Sequence, residues 1–494
     1  MPILNADWFT IIKSDCKFNV YMVGNLLVKS SITALFFILF SPAYALDLRT
    51  AVEHAIITNP EVLVESNQHL SRLEELDQAK SGYMPSIDLN AAAGYERTDN
   101  NTTRASGDDY RSLTRKEASL TLNQMLFDGF ATQSEVDRQN ARVEAQQRVL
   151  ESASEKLGLK AVDTYIQVLL HRDLMALSSE NLQAHARIYD QVELRSNSGV
   201  GRTSDLAQIT GRRASASANM LSDEVNLKDA ETNFLRVVGL LPKALKPIAA
   251  VNEILPQTQD AAIQLALENH PTLKSANADV TAAVAQYKAS KSAHYPRLDL
   301  ELGARYGDDL DGVEGRDDDV TAMLRMRYNL FAGGKDRARN RQNAHLVNEA
   351  KEIRNNTYRQ VVESVRLSWS AYDVTQKQLV FQQEHVLASE KTRDAYAWQF
   401  NLGKRSLLDL LDSENELYEA KREKAKTWYD HIFSQYRLIV GINKLKAHLG
   451  ITLPETAEDG EKLHQAYSDV ANKSTVSDEV APLKSVLEQP VSLP

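Results

Sequence analysis

The chain contains itself twice, and whatever one half builds the other must build again. Thr58-Asn59-Pro60 returns as Asn269-His270-Pro271, and Ala79-Lys80-Ser81-Gly82-Tyr83-Met84-Pro85 returns as Ser290-Lys291-Ser292-Ala293-His294-Tyr295-Pro296, both 211 residues later. Leu126-Phe127-Asp128-Gly129 answers Leu330-Phe331-Ala332-Gly333 at 204, and Arg138-Gln139-Asn140-Ala141 answers Arg341-Gln342-Asn343-Ala344 at 203. Gly201-Arg202-Thr203-Ser204 and Gly403-Lys404-Arg405-Ser406 stand 202 apart, as do Val238-Gly239 and Val440-Gly441. Ordered matches over a period of about 200 residues mark two copies of one structural unit, 46–250 and 251–453, with the seven-residue difference falling in the connection between two strands.

Within each unit the hydrophobic period passes from helical to two and back. In the second copy Leu298, Leu300, Leu302, Ala304 and Tyr306 alternate with Asp299, Glu301, Gly303 and Arg305, and a return strand alternates from Val320 to Leu330. The first copy is weaker but parallel: Ile87, Leu89, Ala91, Ala93 and Tyr95, then Ala118, Leu120 and Leu122. A strand whose second face is charged has a wet face, and about ten residues suit a tilted membrane crossing with lipid on one side and water on the other. Four strands are too few to close a membrane barrel, and open edges are not tolerated in lipid, so the barrel must be shared between chains.

After each Phe-x-Gly the pattern turns helical, and Gly and Pro are sparse, 20 and 13 in 494 residues. The stretch from Ala131 to about Asn197 reads as one helix of roughly 100 Å at about 1.5 Å per residue. Its narrow apolar seams (Val143, Leu150, Leu157; then Val362, Val365, Trp369 and Tyr372 in the second copy) are of the coiled-coil kind. Gly199-Val200-Gly201 and Leu402-Gly403-Lys404 reverse the chain. Each half reads helix, β-hairpin, long helix, turn, long helix. From Pro454 to Pro494 acids, Ser, Lys and Pro dominate, which predicts a mobile tail.

The amino terminus reads as an export signal over residues 1–45: Lys29, an apolar run from Ile32 to Phe40, and Ala43-Tyr44-Ala45 as the cleavage site. Asp7 and Asp15 are unusual ahead of such a signal, which points to Met22 as the true start. The only cysteine, Cys16, precedes the cleavage point, so the mature chain is expected to carry no thiol, disulfide or lipid anchor. A net charge of −10 with interspersed signs offers no basic face for nucleic acid. Catalytic signatures are absent, no histidine pair has metal-ligand spacing, and neither an enzyme nor a cofactor is expected. Asp308, Asp309, Asp311, Glu314 and Asp317 to Asp319 crowd the second hairpin's loop. Without the spacing of a calcium loop, they read as a solvated, outward-facing turn.

The tandem halves, Asn59-Pro60 and His270-Pro271, Tyr83-Met84-Pro85 and His294-Tyr295-Pro296, the Leu-Phe-x-Gly turns and above all Gly403-Lys404-Arg405-Ser406-Leu407-Leu408-Asp409-Leu410-Leu411-Asp412 resemble the TolC family of outer-membrane channels. The resemblance covers nearly all of the mature chain. It implies an α+β membrane protein: a homotrimeric, 12-stranded β-barrel with four strands per chain, continued into an α-helical coiled-coil tunnel in the periplasm. It implies as partners a periplasmic adaptor and an inner-membrane transporter, either an ABC or a proton-driven one. Type I secretion is the first expectation and small-molecule efflux the second; a pore-less periplasmic coiled-coil adaptor is the rival of a different class. By the same resemblance Asp409 and Asp412, on one helical face, line the periplasmic constriction as stacked acidic rings that raise each other's pKa. Glu416, Glu419 and Glu423 extend that stripe, with Lys421, Arg422, Lys424 and Lys426 as candidates to balance it. Arg405, Ser204 and Asp205 match positions that latch the closed tunnel, and Phe400 stands where a latch tyrosine is often found.

Overall fold

A computed structural model describes residues 46–451 except 108, 252 and 253. The expected export signal and tail lie outside the described residues. The first half runs α1 (Leu48–Thr58), α2 (Pro60–Ser81), β1 (Ser86–Thr98), a short α3 (Asn101–Ala105), β2 (Arg111–Phe127), α4 (Ala131–Asn197) and α5 (Thr203–Val238). The second runs α6 (Gln259–Asn269), α7 (Pro271–Ser290), β3 (Arg297–Asp308), β4 (Arg316–Arg327), α8 (Lys335–Asn401), α9 (Leu407–Gly441) and a short α10 (Leu445–Leu449). The order is the one expected from the duplication, and α4 and α8 have the same length, 67 residues.

The recurring motifs are the joints. Pro60 and Pro271 each occupy the first turn of a helix, and the residues before them, Asn59 and His270, are extended, as the proline ring requires. Asn59 also accepts from Glu61 N at 3.0 Å and donates to Val237 O at 3.0 Å, tying the joint to the end of α5. At the strand-to-helix turn Gly129 has φ +69°, where an added Cβ would lie 2.8 Å from Ser292 O and from Tyr295 Cβ. Asp128 accepts from Ala131 N and Thr132 N at 2.9 and 2.7 Å, covering two open donors of α4. At the far ends Gly199 and Gly403 take φ +73° and +70°, and Val200 N and Lys404 N bond back to Arg195 O and Gln399 O, closing both helices with left-handed caps.

The strands form one antiparallel sheet in the order β1-β2-β3-β4. Ile87 lies opposite Leu122, Leu122 opposite Leu302 and Leu302 opposite Ala322, so the apolar positions of all four strands share a face. The other face carries Asp299, Glu301, Arg325 and Arg327. A bulge between Met125 and Phe127 bends β2 where the sheet meets the helices. No helix among the described residues is long and apolar enough to cross a membrane.

The main core lies midway along the helices. Ala51, Val52, Ala55 and Ile56 of α1 pack on Leu157, Tyr165 and Ile166 of α4, Phe234 of α5, and Ile432 and Ile439 of α9. Buried Tyr165 donates to Leu46 O at 3.0 Å and Lys246 O at 2.7 Å, fastening the inter-repeat segment. The two halves are packed unequally. The helix α4 is contacted by α1, α2, α5, α7 and α9, whereas α8 meets chiefly α6, α7 and α9. On α8, Leu346, Ile353, Leu367, Val374 and Phe381 therefore stay exposed, on a seven-residue spacing interrupted only at Gln360.

Candidate functional site: hairpin tips and the charged sheet face

The two long hairpins meet at their tips. Ile188 and Val192 of α4, Ile209 of α5, Phe400 of α8, and Leu407, Leu410 and Leu411 of α9 form one apolar cluster. Phe400 is buried there with the Arg195 guanidinium 4.8 Å above its ring, so this position contributes packing and a cation–π contact. On that base stands Ser406, the N-cap of α9. Ser406 Oγ accepts from Asp409 N at 3.2 Å, and Asp409 Oδ2 accepts from Ser406 Oγ at 2.8 Å and Ser406 N at 3.3 Å, a reciprocal capping box. The Ser406 hydroxyl first, and Arg405 at 3.6 Å after it, hold the Asp409 carboxyl below its usual range.

Asp412, one turn on, is exposed and accepts from Arg212 Nη2 of α5 at 3.0 Å. This bond joins the two hairpins across the tip. Arg405 stays on its own hairpin: Nε donates to Gln399 Oε1 at 3.1 Å, and the guanidinium lies 4.1 Å above the Tyr396 ring. Ser204 is exposed and Asp205 sits in the first turn of α5. Among the described residues no bond joins either of them to Arg405 within the chain, so contacts between them would have to cross between copies.

The acidic stripe continues along the free face of α9, but its charges are unequal. Glu416 meets His385 Nε2 at 2.7 Å, Glu423 meets Lys426 at 2.6 Å, and Glu419 is exposed. Lys421 and Arg422 do not balance this face: Lys421 reaches Glu180 of α4 at 3.0 Å, and Arg422 reaches Asp223 of α5. Asp223 is 4% exposed and also accepts from Ser178, while Arg422 donates to Tyr418 Oη at 2.9 Å. Burial pushes the Asp223 carboxyl up, but the bonds from Arg422 and Ser178 outweigh it and leave the group below its usual range. Sequence reasoning missed this clamp and the Arg212 bond; both join residues about 200 positions apart, and no local pattern marks them.

At the opposite end the charged face of the sheet is laced by ion pairs: Glu301 with Arg325 at 2.7 Å and Arg327 at 2.9 Å, Asp299 with Arg297 at 3.0 Å, and Arg115 with Glu96 at 3.0 Å and Glu117 at 2.9 Å. The acidic loop is solvated, with Asp311, Glu314 and Asp317 to Asp319 exposed, and it is also tied to the sheet. Asp311 meets Arg115 at 3.2 Å, Glu314 meets Arg111 at 3.0 Å, and Asp309 accepts from Gly315 N at 3.0 Å. Among the described residues no acidic or histidine cluster has metal-holding geometry.

A sheet with one apolar and one ion-paired face, running into helices of about 100 Å, defines a class: the subunit of an outer-membrane channel that extends into the periplasm. The outer membrane efflux protein family model matches residues 51–240 and 262–439, and the chain belongs to that family. It is 28% identical over 387 residues to the outer membrane efflux protein BepC of Brucella suis, covering 77% of this chain and 82% of that one. It is 24% identical to the outer membrane protein TolC of Escherichia coli (81% and 82% covered), and 25% identical to the proteases secretion protein PrtF of Dickeya chrysanthemi (78% and 86%). The outer membrane channel CmeC of Campylobacter jejuni superposes with a TM-score of 0.71 at 15% identity, over 84% of this chain and 88% of that one. The TolC-family expectation holds, and the pore-less adaptor reading falls with it.

Proposed function

We propose that three copies form a passive, water-filled duct through the outer membrane and periplasm, gated at the hairpin tips, with energy supplied by an inner-membrane transporter reached through a periplasmic adaptor. The observation that carries this reading is the four-stranded sheet with an apolar face, an ion-paired face and two edges that have no partner among the described residues, since such a sheet can reside in lipid only when other copies close it. The exposed seven-residue seam on α8 supports self-association, because a surface row of that period is what a neighbouring helix packs against.

In this reading 46–250 and 251–453 are the two repeats, Asp409 and Asp412 line the constriction, and Arg405, Ser204 and Asp205 form the latch between copies. Export of a polypeptide by a type I system, with an ABC transporter, is the first reading of the cargo, and the likeness to a protease secretion protein supports it. Small-molecule efflux by a proton-driven pump is the second, supported by the likeness to BepC.

Single-channel recording on the detergent-extracted protein, together with its mass as an assembly, tests the duct. Discrete cation-preferring openings from a trimer are expected. A single chain that never inserts would overturn the proposal.

A further inference from the structure

Between the main core and the tip cluster, α4 and α8 both pack on α9 and leave a cavity of about 810 Å³. Leu177 of α4, Leu379 and Val386 of α8, and Ala425, Trp428 and Tyr429 of α9 supply its apolar lining. We propose that this cavity binds a small amphipathic carboxylate, whose head meets Lys424 and Gln383 and whose apolar body lies along Trp428 and the walls of α4 and α8. All of these residues come from one chain, so the inference stands whether or not the duct reading does.

The size is that of a small-molecule site, which runs from roughly 300 to 1,000 Å³ and joins an apolar lining to a few polar groups. The charges select the ligand. Four charged side chains line the cavity, Asp173, Glu180, Lys421 and Lys424. Tyr429 Oη donates to Asp173 Oδ2 at 2.8 Å, and Lys421 meets Glu180 at 3.0 Å, so both carboxylates are engaged. Among the described residues Lys424 has no ion pair and Gln383 has no side-chain hydrogen bond. An uncommitted ammonium and an uncommitted amide beside an apolar wall fit an anionic head on an apolar body.

Trp428 is the second sign. Its indole is 40% exposed, although Tyr429 beside it is buried, and Lys424 stands one turn before it on the same helical face. The duplication shows that the architecture requires neither side chain. The offset of 202 that relates Val238-Gly239 to Val440-Gly441 places Ser222 and Asn226 of α5 at the positions of Lys424 and Trp428. The first repeat builds the equivalent helix without the ammonium and without the indole. The walls also matter, because Leu177 belongs to the first helical hairpin and Leu379 and Trp428 to the second. A molecule seated here touches both hairpins and ties them together, as the Arg422–Asp223 clamp does from within.

A terminally brominated dodecanoate tests the site, because bromine quenches an indole only at close range. Added to the full-length protein in lipid nanodiscs, it should quench Trp428 saturably, and the equally brominated alcohol of the same chain should bind about tenfold more weakly. Lys424→Gln should cost the acid the same factor and leave the alcohol unchanged, and Lys424→Arg should restore the acid. Trp428→Phe should abolish the saturable part, since the remaining indoles Trp369 and Trp398 do not line the cavity. Helical circular dichroism checks that each variant is folded. Saturable quenching that survives Trp428→Phe would place the probe elsewhere and overturn the site, as would no saturable quenching in the native protein. Equal binding of acid and alcohol, or an acid affinity untouched by Lys424→Gln, would overturn the carboxylate class.

Discussion

At Asp409 two demands meet on one carboxylate. It caps α9 through Ser406, and it is the residue proposed to present charge to the constriction. The cap favours the ionised form, whereas stacked copies of the same carboxylate would favour the neutral one. If Ser406 and Arg405 dominate, block of the channel by multivalent cations persists as pH falls through the usual carboxylate range and fades only below it. Fading already above that range in single-channel recordings would mean that neighbouring copies prevail. Replacing Asp409 and Asp412 together by Ala should weaken that block at neutral pH, and unchanged block would remove both from the constriction. The Arg422–Asp223 clamp behaves differently because it is buried. Asp223→Ala strands a guanidinium among Ser178 and Tyr418, and such a loss costs about 3 to 5 kcal/mol, read as a lower denaturation midpoint. The folded-state pKa of Asp223 is depressed, so its contribution is complete above the unfolded value near 3.9 and is lost as pH drops through the lower folded value. The identities of Asp409 and Arg405 could be read from the ten-residue motif. Their partners could not, because Arg212 and Asp223 are brought to α9 by the packing of the hairpins alone.

At the scale of the element, the strands and helices were legible because their periods of two and 3.6 leave different traces, and the predicted span from Ala131 to Asn197 is the span of α4. The short α3 was not anticipated, since five residues carry too little periodicity to register. Neither was the inequality of α4 and α8: they hold the same place in the two repeats, but α4 is packed on by more elements than α8. The turns allow a ranking by conformation and space. Gly199→Ala meets open space and pays only for its positive φ, about 1 kcal/mol, whereas Gly129→Ala adds a collision with Ser292 and Tyr295 and should cost about 1 to 3 kcal/mol more. Chemical denaturation of the two variants side by side checks the order.

For the whole molecule, the exposed α8 seam is where the chain should betray that it is a part. Val374→Glu with Phe381→Glu places charge on that row and should shift the assembly toward single chains while leaving the helical circular dichroism unchanged. A trimer of unchanged stability would mean that the seam faces water. The sheet has a consequence in time as well as in space. Lys116 and Asp308 lie side by side yet are 192 residues apart in the chain, and between them lies the entire first helical hairpin. The stalk is closed over separations as long or longer: Arg422 meets Asp223 across 199 residues and Asn443 meets Glu151 across 292. Contacts that distant form late, after the chain between them has become compact. Sheet and stalk alike are therefore finished only once the second repeat exists, and neither repeat can complete the apolar face alone.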